Sequence, residues 1–245
     1  GRHCRNGDGK HRAAEAGRKI SAELRQRAET AIRSLAARGE ASLAECAQYQ
    51  QIVLEADRIE AVMRVNGVQP QGHRAPYFSF DATTLWAFDV LARHGLRYDS
   101  SVFPTRNMLY GFPGATPVPH RVAGGQLWEL PASTVAVAGK RLGISGGFYV
   151  RSLPYVVTRW ALRRLQQAGE PAVMYIHPWE LDLGQWYSQV TPRERITHYH
   201  GRRGLAAKLH RLFSDFRFGP MGELVAQLEA NAPLTPVAPP QIVSG

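Results

Sequence analysis

A chain of 245 residues with 44% hydrophobic and 20% charged side chains is long enough for a real core and ordinary in composition for a globular protein. Its formal charge of +10 is spread over arginine-rich stretches at 2–38, 159–164 and 193–217, without an interleaved aromatic pattern or a helix-turn-helix or finger spacing, so nucleic acid is not expected as a partner. Two cysteines, Cys4 and Cys46, support neither a disulfide framework nor a zinc site, and no apolar run approaches a transmembrane segment or a signal peptide.

The chain opens on Gly1 rather than methionine, and is expected to be a fragment or a processed form. Residues 1–12 carry glycine and charge with almost no apolar side chains and are expected to be disordered. Helix formers dominate 13–37, and a second helical stretch covers 43–65 before Asn66-Gly67 turns the chain. Residues 1–66 thus form a basic, weakly patterned helical segment. The texture changes at Gly67, where a loop dense in proline, glycine and aromatics begins. A helix is predicted over 82–94 and closed by Gly95, then a short strand over 96–102 that ends in Asp99-Ser100-Ser101. Four prolines and three aromatics mark 103–122 as a long loop, of the kind that is usually functional when ordered. Short strands are predicted over 126–130 and 134–138, leading to the stretch 145–154, and an amphipathic helix over 155–167.

The apolar run Ala172 to Ile176 reads as a buried strand that ends at His177, held extended by Pro178. A polar loop around 184–192, helices over 205–213 and 221–231, and a proline-rich tail at 232–245 complete the chain. Strand and helix alternate from 67 to 180, which indicates an α/β domain over 67–231 with largely parallel pairing.

Catalytic groups on such folds gather where strands end. His177 is one candidate, with packing under the Trp179 indole as its plain alternative. Arg74, in a proline-restricted loop, could clamp a carboxylate or simply lie on the surface, and the backbone N–H of Tyr77 could point into a cleft. Asp99 offers a carboxylate at a strand end or a turn cap. Gly147 and Tyr149, in Gly146-Gly147-Phe148-Tyr149, could let a sugar approach bare backbone beside a ring, or serve only a turn. His198 and His200, amid arginines, read as surface residues.

Taken together, Arg74-Ala75-Pro76-Tyr77, Tyr98-Asp99-Ser100-Ser101, Gly146 to Tyr149 and Tyr175-Ile176-His177-Pro178-Trp179-Glu180 resemble the polysaccharide deacetylase family. The likeness runs from about 67 to 218 and is strongest to the subgroup of bacterial exopolysaccharide loci, which carries a C-terminal extension. It implies a deformed (β/α) barrel and a hydrolase that removes N-acetyl groups from a polysaccharide, in the bacterial cytoplasm or cell envelope. It further implies that Arg74 orients a catalytic-base aspartate, that the Tyr77 N–H stabilises an oxyanion, and that His177 protonates the leaving amine. Asp99 falls on a motif near the cleft, and Gly147, Tyr149 and Trp179 would line the substrate groove. A divalent metal, usually zinc, belongs to that chemistry.

The family's Thr-Phe-Asp-Asp-type strand and its His-x-x-x-His pair are absent from the sequence upstream of Arg74. Where the pair would fall stand Glu45 and Tyr49, a poor zinc pair, and no histidine lies between His11 and His73. No metal ligands are therefore assigned in this chain. The barrel is expected to be incomplete at its N-terminal strands, from a truncated or frame-disturbed start. A non-catalytic carbohydrate-binding protein on the same fold is the alternative.

Overall fold

The computed structural model describes residues 70–107, 110–184 and 191–231, together with Ala22, Gln26 and Thr30, which are helical and exposed. Those three positions fall within the helix predicted over 13–37. The rest of that helix, the helix predicted over 43–65, the disordered start and the proline-rich tail lie outside the described residues.

Four short strands form the main sheet: β1 Gly72–His73, β2 Tyr98–Asp99, β3 His120–Val122 and β4 Leu127–Glu129. Their order is β1-β2-β4-β3, with β1, β2 and β4 parallel and β3 antiparallel at the edge. A separate antiparallel hairpin joins β5 Thr134–Val137 to β6 Lys140–Gly143. The fold is mixed α/β. Among the described residues the strands form these two sheets and no closed barrel. Pairing is also less parallel than the alternation suggested, because tight turns intervene. Ala138 and Gly139 both take positive φ (47° and 76°), the geometry of a two-residue hairpin turn, and that turn produces β6.

Side chains alternate across the sheet as the period of two requires. Leu127 joins the core under α1 (Trp86–Arg93), with Phe88, Val90 and Leu91, whereas Trp128 and Leu130 meet Val225 of α6 (Met221–Asn231) on the opposite face. α1 starts later than predicted. Asp81 takes the Thr83 N–H on its side chain at 2.8 Å and the Thr84 N–H on its backbone, which holds 82–85 in turns. It ends as expected: Gly95 has φ +81° and Leu96 N–H returns to Leu91 O.

The second core is built on the hairpin by α2 (Gly147–Ser152), α3 (Tyr155–Gln167) and α5 (Arg202–Asp215) through Val135, Val150, Leu162, Leu165 and Leu205. α2 forms on the Gly146-Gly147-Phe148-Tyr149 stretch, for which a sugar-facing backbone or a turn were the two readings, with Gly146 at φ +99° leading into it. α4 (Pro192–Tyr199) lies where the polar loop was predicted to end, and α5 runs beyond the bounds predicted for it at both ends. No helix is long and apolar enough to cross a membrane among the described residues.

The segment 172–176 corrects another expectation. It alternates like a strand, with Ala172, Met174 and Ile176 toward the hairpin core and Val173 toward the α6 core. Among the described residues it is not part of a ladder, however. The Val173 N–H donates to the Ser133 hydroxyl at 2.7 Å, so a side chain stands where a partner strand's carbonyl would be. Only its carbonyl keeps a backbone bond, from the Ser133 N–H at 3.2 Å.

Candidate functional site

Register places the polar residues. His73 pairs with Asp99, Asp99 with Glu129 and Glu129 with His120, so one rung across the sheet carries four titratable side chains. Period-two alternation puts Glu129 on the same face as Leu127, at the carboxyl ends of the parallel strands. His73 Nδ1 lies 2.6 Å from Asp99 Oδ1, and both side chains are buried. Glu129 is fully buried and accepts the Val102 N–H at 3.1 Å on Oε1. Burial first, then the neighbouring Asp99 charge, raises the Glu129 pKa well above the usual carboxyl range. Among the described residues no donor reaches its Oε2, and Asp99 is the neighbouring carboxyl.

The rung supports the Arg74 loop. Asp99 accepts the Ser101 N–H at 2.7 Å and the Ser101 hydroxyl at 2.8 Å, and that hydroxyl in turn accepts the Ala75 N–H at 2.8 Å. Arg74 donates to Ser100 O at 2.9 Å and to Ser100 Oγ at 2.7 Å. Among the described residues its hydrogen-bond partners are Ser100 and, at 4.0 Å, the Met221 sulfur, rather than an aspartate. Its guanidinium lies 5.3 Å from the Phe78 ring centre and 5.2 Å from that of Tyr175. Burial lowers the Arg74 pKa, opposed chiefly by Asp99. Tyr77 and Phe78 hold φ of 55° and 48°, a left-handed pair that costs about 1–3 kcal/mol per residue. The Tyr77 side chain is 65% exposed. Strain of this kind marks a place where surrounding structure fixes the backbone against its preference.

Aromatic contacts link Arg74 to His177. Phe78, Phe103, Tyr110, Tyr149 and Tyr175 form one cluster, and the Tyr110 and Tyr175 hydroxyls are 2.8 Å apart. Burial raises the Tyr175 pKa far beyond the working range, which keeps the phenol neutral. Burial also raises that of Tyr149, whose ring stacks on Phe103. The Tyr175 ring stands edge-on to His177, and His177 stacks on Trp179 at 5.7 Å and 28°. The histidine is thus both packed on the indole and open to solvent, its side chain 53% exposed.

Beneath it lies Glu180, which is 1% exposed. Glu180 Oε1 accepts the His177 backbone N–H at 3.2 Å and lies 3.1 Å from His177 Nδ1, while Oε2 accepts Arg151 Nε at 2.8 Å. Burial pushes this carboxyl upward, but the His177 and Arg151 hydrogen bonds and the Arg151 charge outweigh it and hold the pKa below the usual range. A Cβ on Gly147 would fall 1.8 Å from Oε1, so the Gly147 position is bare because the Glu180 carboxylate occupies that space. On Gly146 a Cβ would meet the Tyr175 ring at 2.8 Å.

The structure therefore groups most of the candidates named from sequence. Arg74 and Asp99 meet through Ser100 and Ser101, Arg74 reaches His177 through Tyr175, Tyr149 shares the aromatic cluster, and Trp179 carries the histidine. Tyr77 stands at the rim by its exposure. His198 packs 5.5 Å from Trp179, and the His200 carbonyl accepts Arg151. The sequence singles out none of His73, Glu129 and Arg151 as site residues, and Glu180 only as the end of a motif. Only Glu129 had a local signal, a charge inside the apolar strand run Leu127-Trp128-Glu129-Leu130. The others depend on register and on helices remote in sequence.

A divalent ion would need three protein ligands. Among the described residues no three His, Cys, Asp or Glu side chains are grouped to hold one. The nearest donors are engaged with each other, His73 with Asp99 and Glu180 with Arg151. The described residues do not fit a zinc ion.

No curated protein matches the chain, and no solved structure does. One family model matches residues 100–226, a little over half of the chain, and is described as a domain of unknown function, DUF3473. The match takes in Gly147, Tyr149, His177, Trp179 and Glu180, whereas Arg74, Tyr77 and Asp99 precede it. The chain belongs to the DUF3473 family, a domain associated with polysaccharide deacetylase-like proteins.

Proposed function

We propose that the chain is a polysaccharide deacetylase-type hydrolase acting on N-acetylated sugars, on a deformed barrel whose first strands are incomplete, with His177 as the leaving-group acid. The observation that carries this reading is the His177 ring: exposed on one side, stacked on Trp179, and tied at Nδ1 to a buried carboxylate. Hydrolysis of the N-acetyl amide adds water to the carbonyl carbon, develops charge on its oxygen and breaks the C–N bond. The amine leaves only if it gains a proton, which His177 Nε2 supplies. Arg74, fixed by Ser100 and flanked by Phe78 and Tyr175, forms the cationic wall of the same cleft, and the strained Pro76–Phe78 turn presents the Tyr77 backbone toward the oxyanion.

The test is acetate release from an N-acetylglucosamine oligomer by the full chain, with zinc supplied. Release that falls about 100-fold or more in His177→Ala supports the assignment, since a general acid contributes about 10²–10⁴-fold. The second reading is a non-catalytic carbohydrate-binding protein. It is favoured by the described donor set, which does not fit a metal. Oligomer binding without any acetate release selects it.

A further inference from the structure

We propose that Glu180 is the positioning residue of His177: it fixes the neutral ring as the Nδ1–H tautomer, and the C-terminal helices hold Glu180 in place through Arg151 and Arg202. This rests on His177 being the proton donor of the cleft, and it says which of its nitrogens does that work and what enforces the choice.

The steps follow from the donor inventory. An ionised carboxylate only accepts hydrogen bonds. Glu180 is ionised because Arg151 Nε donates to Oε2 from a side chain as buried as its own. Oε1 already faces the His177 backbone N–H, so the ring nitrogen 3.1 Å away must also present a hydrogen. Nδ1 is therefore the protonated nitrogen of the neutral ring, and Nε2 carries the lone pair. A proton taken up from solvent goes to Nε2 and leaves from Nε2 toward a ligand, while Nδ1–H stays on Glu180 throughout. Pro178 and the single turn Pro178–Glu180 bring the carboxylate back under its own histidine, so the pair is built within four residues.

That turn does not hold itself. Arg151 Nη1 donates to His200 O at 2.7 Å and Nη2 donates to Thr197 O, the last turn of α4. Arg202, at the start of α5 and nearly buried, donates to Trp179 O at 2.9 Å and to Glu180 O at 3.3 Å. Lys208, a turn and a half along α5, caps the carbonyls of Arg151 and Leu153 at 2.7 Å each. Gly201 has no room for a side chain, since a Cβ would sit 2.4 Å from Arg151 O. Three cations thus clamp α2, the 177–180 turn and the α4–α5 junction together around one carboxylate.

The tautomer can be read without turnover, so its failure and failure of the deacetylase reading are distinct. Long-range 1H–15N correlation spectra of the full-length chain, labelled on histidine, resolve the His177 imidazole, assigned by its disappearance in His177→Gln. With the ring neutral, the wild-type chain is expected to show protonated Nδ1 and unprotonated Nε2. Glu180→Leu is expected to lose that signature and to give the Nε2–H form that free imidazole prefers. Should the stranded Arg151 charge prevent folding, the double variant Arg151→Met/Glu180→Leu removes both ions and carries the same measurement. An Nε2–H ring in the wild-type chain, or an Nδ1–H ring that persists in either folded variant, overturns the proposal. Absence of acetate release with the Nδ1–H signature intact overturns only the deacetylase reading.

Discussion

Two glutamates with almost no exposed surface, Glu129 at 0% and Glu180 at 1% exposure, have pKa values shifted in opposite directions. Burial pushes both toward the neutral acid. Glu129 meets a second carboxyl, Asp99, across the parallel register. Glu180 meets Arg151 and a histidine N–H. Burial raises both, and the neighbours decide whether that rise is reinforced, as at Glu129, or reversed, as at Glu180. Glu129 adjoins Asp99, which holds the Arg74 loop through Ser101, and Glu180 bonds the His177 ring.

The hardest way to break this contrast is to remove the cation. Arg151→Met leaves Glu180 buried without its counter-ion and is expected to cost about 3–5 kcal/mol, read as a lower midpoint in urea unfolding. Arg151→Met/Glu180→Leu is expected to recover most of that loss, because replacing the whole pair strands no charge. A double variant no more stable than the single one would show that Arg151 acts mainly through its bonds to Thr197 and His200. Next comes Gly147→Ala. Its Cβ would overlap the Glu180 carboxylate, so a cost of about 1–3 kcal/mol is expected for the forced shift.

How far the sequence reveals this site depends on how local each contact is. The α/β class, α3, α6 and the capping of α1 by Gly95 follow from patterns within one segment. Arg74, Asp99, His177 and Trp179 stand out because proline, strand ends and resemblance mark them. The 172–176 strand was misjudged because its apolar alternation is real, while the ladder it implies is replaced by the Ser133 hydroxyl forty residues earlier. β6 was missed because Lys140-Arg141-Leu142 has no apolar run, and its pairing is imposed by the Ala138-Gly139 turn. Glu180 was read as part of a motif but not as a partner of His177. Its charge depends on Arg151 from α2, and nothing in the order of residues connects the two.

The pH dependence of stability sharpens the comparison with a smaller effect. An unfolded glutamate titrates near pH 4.3. Above that pH the unfolded chain releases the Glu129 proton while the folded chain keeps it, so folding binds protons and stability falls as pH rises toward the raised folded pKa. Glu180 has the opposite sign. Its contribution is present above pH 4.3 and is lost as pH falls through its lowered folded pKa. Glu129→Gln imitates the protonated acid, so below about pH 4.3, where the unfolded glutamate is protonated as well, it is expected to change stability by no more than about 1 kcal/mol. Its difference from wild type should shift in favour of the variant as pH rises from 4.3 to 8. A difference that is flat over that range would mean Glu129 ionises in the folded chain as easily as in the unfolded one.

The smallest expected effect comes from an ion pair open to solvent. Arg97 and Glu229 join β2's approach to α6 with a 2.6 Å contact, shorter than the Arg151–Glu180 bond, but the two side chains are 40% and 36% exposed. Water and salt screen them, and both carry a large rotamer entropy into one geometry. Glu229→Gln is expected to cost less than about 0.5 kcal/mol at 150 mM salt and less still at 1 M. If distance governed these pairs, this substitution would rival Arg151→Met. An unfolding midpoint within error of wild type, beside a large drop for Arg151→Met, would show that what makes the Glu180 pair costly to break is the absence of solvent to replace a lost partner.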